Sequence, residues 1–267
     1  MTGPTTARER AMRPEGPRKW LAGGVGRYAP DAGVRLFCFA HAGGGTALFR
    51  PWRTALAPEI DVCPVLLPGR ESRLHELPYR RVEQLIDPLC EVVAAHADRP
   101  YAFFGHSMGS VLAYEVARRF ADGPFGGPLA LVVSGRRAPH LASRRRTFSM
   151  LPDDAFLAEL KALNGTPVDV LGQPQLLAAF LPALRADFEL NELYRPLPGP
   201  RLSSPVIAYM GADDPEVDCA ELAGWHETTR GGFVLRVLPG DHFYLKDGRP
   251  DVIGHVRDDL TRAAARS

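Results

Sequence analysis

Short, continuously apolar segments alternate with helix-like segments from about residue 33 onward, and this alternation constrains the fold more than any other feature. Six of these segments have the length and composition of buried strands: 34–40, 62–67, 101–104, 129–134, 206–210 and 233–238. Strands that are apolar on both faces belong to parallel sheets covered by helices on each side. The sequence therefore predicts an α/β fold with a mostly parallel central sheet.

One long segment without a strand pattern interrupts this alternation. Between Ser134 and Val206, apolar residues recur at helical spacing in MLPDDAFLAELKALNGTPVDVL and in QPQLLAAFLPALRADFELNELY. Helical insertions between sheet strands are a recurring way to cover a site at the strand ends. We therefore predict a helical lid over residues 141–194. The alternative is a pair of crossover helices that only complete the core.

The composition predicts one folded domain preceded by a tail. A chain of 267 residues, of which 45% are hydrophobic, can bury a single large core. Residues 1–20 are rich in Pro, Gly, Thr and Arg, a composition that favours disorder. The expected organisation is a disordered tail over 1–20 and one domain over 21–267.

Charge and cysteine usage narrow the classes of function. The formal net charge of +1 offers no strong field for nucleic acid or an anionic membrane. Apolar runs are too short to span a bilayer, and the basic N-terminus lacks the apolar stretch of a secretory signal. The four cysteines have no paired spacing in the sequence, which predicts free thiols in a cytoplasmic protein and no metal site. They are Cys38, Cys63, Cys90 and Cys219.

A serine between two glycines marks a sharp turn where a predicted strand meets a predicted helix. The segment YAFFGHSMGSVLAYEVARRF contains Ser107 in the pattern Gly-x-Ser-x-Gly. At a strand–turn–helix junction this pattern is the nucleophile elbow of α/β-hydrolases, in which the serine hydroxyl projects above the sheet. Ser107 is therefore the candidate nucleophile.

A serine hydroxyl is a poor nucleophile without a base, and the base is oriented by an acid. α/β-Hydrolases supply both groups from loops after later strands, in the chain order serine, acid, histidine. The loop GADDP follows the predicted strand 206–210 and offers Asp213 or Asp214. The loop PGDHF follows the strand 233–238 and offers His242 as the base.

The oxyanion of an acyl-transfer intermediate needs backbone N–H donors. One is expected from Met108, the residue after the nucleophile, and the other from a loop after an early strand. The loop HAGGG after the first strand suits this role, because glycines let the backbone approach a substrate closely, and Ala42 is the candidate donor. The rival interpretation, a phosphate-binding loop, lacks both known glycine patterns, and no cofactor is expected.

With these residues identified, the sequence resembles the type II thioesterases that accompany polyketide and nonribosomal peptide synthases. The likeness extends from about residue 34 to 260 and rests on the stretches HAGGG, LLPGRESR, FFGHSMGSVLAYEVARR, VVSGRRAP, LNGTP, LPALRADFEL and LPGDHFYL. The resemblance implies an α/β-hydrolase fold and a triad of Ser107, Asp214 and His242. It also implies that Ala42 and Met108 donate to the oxyanion.

Of the two adjacent aspartates, the family pattern selects Asp214, which lies three residues after Gly211. Pro215 adds a physical reason, because the residue before a proline is pushed towards extended conformations. Asp213 is then expected to face solvent or to cap the following turn.

The resemblance also implies an activity and a partner. The activity is hydrolysis of acyl groups from the phosphopantetheine arm of acyl or peptidyl carrier proteins, which makes the protein an editing enzyme for stalled synthases. The alternatives are an acyltransferase that moves acyl groups between carriers, a general carboxylesterase, and a non-catalytic docking module. Malonyl transferases share the Gly-His-Ser-x-Gly elbow but use a Ser-His pair with an arginine, whereas an acid loop and a lid favour a hydrolase.

An arginine-rich segment follows the fourth predicted strand. Carrier proteins are generally acidic, and basic residues at the edge of an interface mainly accelerate encounter. The segment is therefore a candidate docking surface, formed by Arg136, Arg137, Arg144, Arg145 and Arg146.

Overall fold

A six-stranded sheet forms the centre of the structure, a computed structural model that describes residues 17–121, 127–163 and 173–266. The strands are β1 (Val34–Phe39), β2 (Ile60–Pro64), β3 (Tyr101–His106), β4 (Leu131–Ser134), β5 (Val206–Gly211) and β6 (Phe233–Leu238). Their order is β2-β1-β3-β4-β5-β6, and every neighbouring pair is parallel. The predicted α/β fold with a parallel sheet is confirmed.

The α-helices of the described residues follow the strands in chain order. They are α1 (Arg50–Ala55), α2 (Val82–Ala94), α3 (Met108–Phe120), α4 (Asp153–Ala162), α5 (Pro174–Leu193), α6 (Cys219–Ala223) and α7 (Pro250–Ala264). None of these helices combines the length and the apolar character that a membrane crossing requires. All four cysteines are unpaired.

Successive strand residues alternate between two apolar cores, one on each face of the sheet. Phe37 and Phe103 face the core that contains the buried residues of α2 and α3. Leu36 and Phe104 face the opposite core, which contains the buried residues of α1 and α7. Because side chains alternate along a strand, covering both faces requires apolar residues at every position. This requirement explains the continuous apolar runs in the sequence.

The second strand lies two to three residues earlier than predicted, at Ile60–Pro64 instead of 62–67. Its polar residue Asp61 is buried because Arg35 on the neighbouring strand donates to it, with 3.1 Å between Nε and Oδ2. After Pro64 the chain leaves β1 and forms an antiparallel bridge between Val65 and Leu21. The buried ion pair between Arg35 and Asp61 thus lets β2 begin before its apolar run, and the bridge of Val65 to Leu21 ends its pairing with β1.

The N-terminal part of the chain packs against the domain earlier than predicted. Residues Pro17–Trp20 form a short 3₁₀ helix, and Trp20 is only 1% exposed. The guanidinium carbon of Arg73 lies 4.2 Å from the centre of the Trp20 ring. The tail predicted for 1–20 can therefore comprise at most residues 1–16, which lie outside the described residues.

Helices α4 and α5 occupy the segment predicted as a lid. Four buried residues of this segment form a third apolar cluster, distinct from the two sheet cores: Phe148, Phe156, Leu160 and Leu184. Leu190 of α5 instead belongs to the core that contains α2 and α3. The separate cluster supports a covering role for the segment, and Leu190 attaches α5 to the sheet. Part of the lid segment, 164–172, lies outside the described residues, and opening of the lid stays a prediction.

The packing of α3 against the sheet generates a stability prediction. A Cβ atom on Gly109 would overlap the carbonyl oxygen of Phe39, and backbone cannot move aside as a flexible side chain can. Gly109→Ala should therefore lower the free energy of unfolding by about 3 kcal/mol or more, at the upper end of overpacking costs. Chemical denaturation followed by circular dichroism measures this change.

Gly254→Ala is the matched control, because a Cβ atom at this position in α7 meets no atom of the described residues within 4 Å. Alanine is the better helix former, so this variant should gain about 0.5–1 kcal/mol. Equal effects of the two substitutions would contradict the close approach of α3 to β1.

Candidate active site

Ser107 lies at the junction of β3 and α3 in a backbone conformation that side chains rarely adopt. Its φ is 53° and its ψ is −114°, a region that costs a non-glycine residue free energy. A Cβ atom on Gly105 would overlap the backbone of Gly109, and one on Gly109 would overlap that of Phe39. The two glycines of the motif are therefore required by close packing of backbone on both sides of the serine.

Hydrogen bonds from β4 hold this strained turn in place. The Ser107 N–H donates to the Ser134 carbonyl oxygen at 2.7 Å. The Ser110 hydroxyl donates to the Gly105 carbonyl oxygen at 2.7 Å and accepts from the Ser134 N–H at 3.1 Å. Strain persists only where the surroundings over-determine a conformation, and these bonds provide that constraint.

His242 and Asp214 form a buried pair near the serine. The Nδ1 atom of His242 lies 3.0 Å and 2.9 Å from the two carboxylate oxygens of Asp214, whose side chain is fully buried. Because a carboxylate accepts hydrogen bonds, Nδ1 carries the proton and Nε2 is left as the basic atom. This is the arrangement in which an acid orients a histidine base.

The loops that carry Asp214 and His242 are in close contact at Gly211. A Cβ atom on Gly211 would overlap the carbonyl oxygen of Gly240, and the Asp213 N–H donates to that same oxygen at 3.0 Å. The Asp213 side chain is exposed, whereas Asp214 reaches His242. The structure therefore brings the aspartate selected by the family pattern to the histidine.

A single cavity joins the predicted catalytic residues to the lid. Ser107, His242 and Ala42 all line it. The lid contributes apolar side chains to its wall: Phe148, Leu160, Leu163 and Phe188. The cavity can therefore hold an acyl group whose carbonyl carbon lies at the serine.

The two predicted oxyanion donors are both available. The Gly44 N–H donates to the His41 carbonyl oxygen at 2.9 Å, and Gly43 has a φ of 74°, which together define a type II turn. Ala42 lies inside this turn, and Met108 is the first residue of α3, where a helix leaves its N–H without an internal acceptor. Neither N–H is donated to another group in the ranges that the structure describes.

A buried ion pair ties the turn to lid helix α5. Arg70 donates to both carboxylate oxygens of Asp187, at 2.9 Å and 2.7 Å, and the two residues are 6% and 2% exposed. Asp187 also accepts from the Gly43 N–H at 2.7 Å, and Arg70 donates to the Gly44 carbonyl oxygen at 2.9 Å. Bidentate charged pairs fix geometry as well as charge. We call these four residues the turn clamp.

Sequence reasoning did not find the turn clamp. Its signals were the arginine in LLPGRESR and an aspartate among apolar residues of a helical pattern in LPALRADFEL. Arg70 and Asp187 are 117 positions apart, so neither residue indicates the other in one sequence.

Two further neutral histidines lie beside the site, of which His106 is buried and His41 is half-buried. Burial lowers the pKa of His41 to about 3 and lowers that of His106 well below its usual range. His106 Nδ1 lies 2.9 Å from the hydroxyl of Ser134, which fixes its ring. His106 packs against His242, with ring centres 5.1 Å apart, and His41 packs against His106, with ring centres 5.6 Å apart. They are suited to supporting the base rather than to replacing it.

The exposed arginines of the predicted docking surface pair with carboxylates of the same chain. Arg144 contacts Asp218 and Glu221, and Arg145 lies 3.0 Å from Glu216. Arg146 contacts a carboxylate of helix α4. Much of the positive charge expected at this surface is therefore compensated within the protein.

Comparisons with known proteins agree with this geometry. Nucleophile, acid and histidine on loops at the carboxyl edge of a parallel sheet define the α/β-hydrolase class. The thioesterase domain family matches residues 34–260. The chain belongs to this family.

The relatives point to one branch of the family. Thioesterase PikA5 of Streptomyces venezuelae is 40% identical over 242 residues, which is 88% of this chain and 85% of the relative. Gramicidin S biosynthesis protein GrsT of Aneurinibacillus migulanus is 37% identical, over 83% of this chain and 87% of the relative. The type II thioesterase BorB from the borrelidin biosynthetic cluster has a TM-score of 0.77 at 38% identity, over 91% and 96% of the two chains. The resemblance seen in the sequence is confirmed.

The placement of the two aspartates yields a prediction about rate. Asp214→Asn removes the carboxylate that holds the imidazole, so kcat for thioester hydrolysis should fall by about three to four orders of magnitude. Asp213→Asn leaves the pair intact and should stay within about tenfold of wild type. Steady-state kinetics of both variants on one acyl thioester test this assignment. A larger loss of kcat in Asp213→Asn than in Asp214→Asn would assign the acid to Asp213.

The turn clamp yields a second prediction. Asp187→Asn leaves Arg70 buried without a counter-charge and loosens the turn that holds Ala42. We expect kcat to fall by about ten- to hundredfold, because small displacements of donors are costly, with a much smaller change in KM. The melting temperature should also fall, since breaking a buried pair costs about 3–5 kcal/mol.

The control is Asp153→Asn, which breaks the exposed ion pair between Asp153 and Arg185 at 2.6 Å on the same lid. Exposed pairs contribute about 1 kcal/mol or less, so kcat and melting temperature should be almost unchanged. A wild-type kcat for the folded fraction of Asp187→Asn would show that the turn clamp does not position the oxyanion donor.

Proposed function

We propose that this thioesterase hydrolyses acyl groups from the phosphopantetheine arms of acyl and peptidyl carrier proteins through an acyl-enzyme on Ser107. The observation that carries the proposal is the buried pair of His242 and Asp214, with 2.9 Å between Nδ1 and Oδ2, in one cavity with the strained serine. A serine with a base and an oriented acid is the requirement for nucleophilic acyl transfer.

In the first half of the reaction, His242 Nε2 takes the proton of the Ser107 hydroxyl as its oxygen attacks the thioester carbonyl. The carbonyl oxygen becomes an oxyanion and accepts hydrogen bonds from the N–H groups of Ala42 and Met108. The intermediate collapses to an ester on Ser107, and the carbon–sulfur bond breaks. The imidazolium returns its proton to the departing thiolate of the arm.

In the second half, water takes the place of the thiol. His242 removes a proton from water while the oxygen attacks the Ser107 ester, and the same two N–H groups hold the second oxyanion. Collapse releases the carboxylic acid and returns the proton to Ser107. Asp214 stabilises the imidazolium in both halves without taking the proton itself.

The proposed partner and pathway are supported by the relatives rather than by the cavity. BorB is named as a type II thioesterase of a biosynthetic cluster, and GrsT as a biosynthesis protein for gramicidin S. These names support action on carrier-bound chains and an editing role in polyketide or nonribosomal peptide assembly. A location in the cytoplasm stays a prediction from the cysteine usage.

The test is intact-mass analysis of a panel of acylated carrier proteins after incubation with the enzyme. We expect loss of the acyl mass from carriers with short chains and recovery of the free acid, while Ser107→Ala leaves every carrier acylated. A matched propionyl oxyester should react more slowly than the propionyl thioester.

Other outcomes would contradict the proposal in distinct ways. Appearance of the acyl mass on a second, unacylated carrier would indicate an acyltransferase. Faster oxyester hydrolysis would indicate a general carboxylesterase. No reaction with any carrier would indicate a docking module.

A further inference from the structure

Arg136 stands out among the charged side chains that line the cavity. It follows Gly135 directly after β4, is only 7% exposed, and borders the same cavity as Ser107 and His242. In the ranges that the structure describes, its guanidinium has neither an ion pair nor a hydrogen bond to the protein. Its backbone carbonyl is held by the indole N–H of Trp225 at 2.7 Å, so its position is fixed.

The neighbouring arginines behave differently. Arg144 donates to Glu221 at 2.6 Å, and Arg145 lies 3.0 Å from Glu216. Arg137 donates through Nε to the Leu141 carbonyl oxygen at 3.1 Å. Arg136 is therefore the most buried of these cations and lacks the partners that the others have.

An unpaired buried cation costs free energy, because its hydration is lost without compensation. Burial lowers the pKa of Arg136 to about 9, and the charge of Arg137 acts in the same direction. The side chain still carries its charge at neutral pH. A group that is retained at such a cost has five N–H donors to offer to whatever enters the cavity.

An unpaired acceptor lies on the same cavity. Among the described residues, nothing donates a hydrogen bond to the buried Oδ1 atom of Asn191, and Asn191 lines the cavity from helix α5. Arg136 lines the same cavity, so a donor from the loop after β4 and an acceptor from α5 both border the space that a substrate would enter.

We propose that Arg136 and Asn191 bind a secondary amide of the thioester substrate. The amide carbonyl oxygen accepts from the Arg136 guanidinium, and the amide N–H donates to Oδ1 of Asn191. A carboxylate would satisfy the arginine but would leave the Asn191 oxygen without a donor, whereas an amide satisfies both groups. This inference rests on the proposed thioesterase activity and names the chemistry that the cavity recognises beyond the reacting carbonyl.

Two parts of a carrier-bound substrate supply such an amide. The phosphopantetheine arm has one two carbons from its sulfur, and a peptidyl chain has one close to the thioester carbonyl. Three synthetic substrates separate these sources. S-propionyl-N-acetylcysteamine carries the arm amide, the N-acetylglycyl thioester of pentanethiol carries the acyl amide, and S-pentyl thiopropionate carries neither.

The experiment compares kcat/KM of wild type and Arg136→Met on these three substrates. Hydrogen bonds to charged groups contribute about 1.5–3 kcal/mol, so the variant should lose about ten- to hundredfold on the substrate whose amide is bound. Its kcat/KM on S-pentyl thiopropionate should stay within about twofold. Asn191→Leu should show the same selectivity, and whichever amide substrate is affected identifies the source.

A stability measurement separates binding from a structural role. Replacing an unpaired buried cation by an apolar residue removes a desolvation cost, so the melting temperature of Arg136→Met should be unchanged or higher. The control is Arg119→Met, the same substitution at an exposed arginine of α3 that pairs with Asp87 at 2.7 Å. It should leave all three kcat/KM values unchanged.

The experiment distinguishes failure of the amide site from failure of the proposed thioesterase activity. If wild type hydrolyses none of the three thioesters, the thioesterase activity itself is refuted. If wild type is active but Arg136→Met loses the same factor on all three, or loses nothing, the amide site is refuted.

Discussion

The close approach of backbone at the nucleophile elbow is the constraint on which the rest of the site depends. Gly109, in the first turn of α3, lies against the carbonyl oxygen of Phe39 at the end of β1, and Phe39 pairs in register with Gly105 of β3. The turn of residues 41–44 after β1, which carries the proposed oxyanion donor Ala42, and the serine after β3 are therefore held side by side. Because β4, β5 and β6 are parallel to these strands, the acid and histidine loops leave the same edge.

Helix α5 contributes more than a cover to this edge. Asp187 accepts from the Gly43 N–H at 2.7 Å and holds the turn of residues 41–44, and Asn191, four positions later, lines the cavity. Residues four apart lie on one face of a helix, so one face of α5 both holds this turn and borders the cavity. Any opening of α5 that breaks the pair of Arg70 and Asp187 would therefore also release the turn that carries the proposed donor Ala42.

The sequence predicted the parts of the molecule that have local signals. Apolar runs located the strands, and Gly105 and Gly109 located the elbow, since only glycine fits that packing. Asp61 in β2 was missed because its partner Arg35 is 26 positions away, and periodicity does not record pairing. Arg136 likewise appeared as one of several surface arginines, although Arg144, Arg145 and Arg146 are paired and exposed while it is buried. Charge pairs between residues that are far apart in the sequence can be identified only once the fold is known.

The central claim is that the strained Ser107 is activated by His242, and a serine-directed fluorophosphonate tests it most directly. The reagent phosphonylates only a serine whose hydroxyl is activated by a base, and peptide mass mapping locates the adduct. The account predicts one adduct per chain, on the peptide that contains Ser107, and a labelling rate reduced by about a thousandfold or more in His242→Ala. Labelling of another serine, or an unchanged rate without His242, would contradict it.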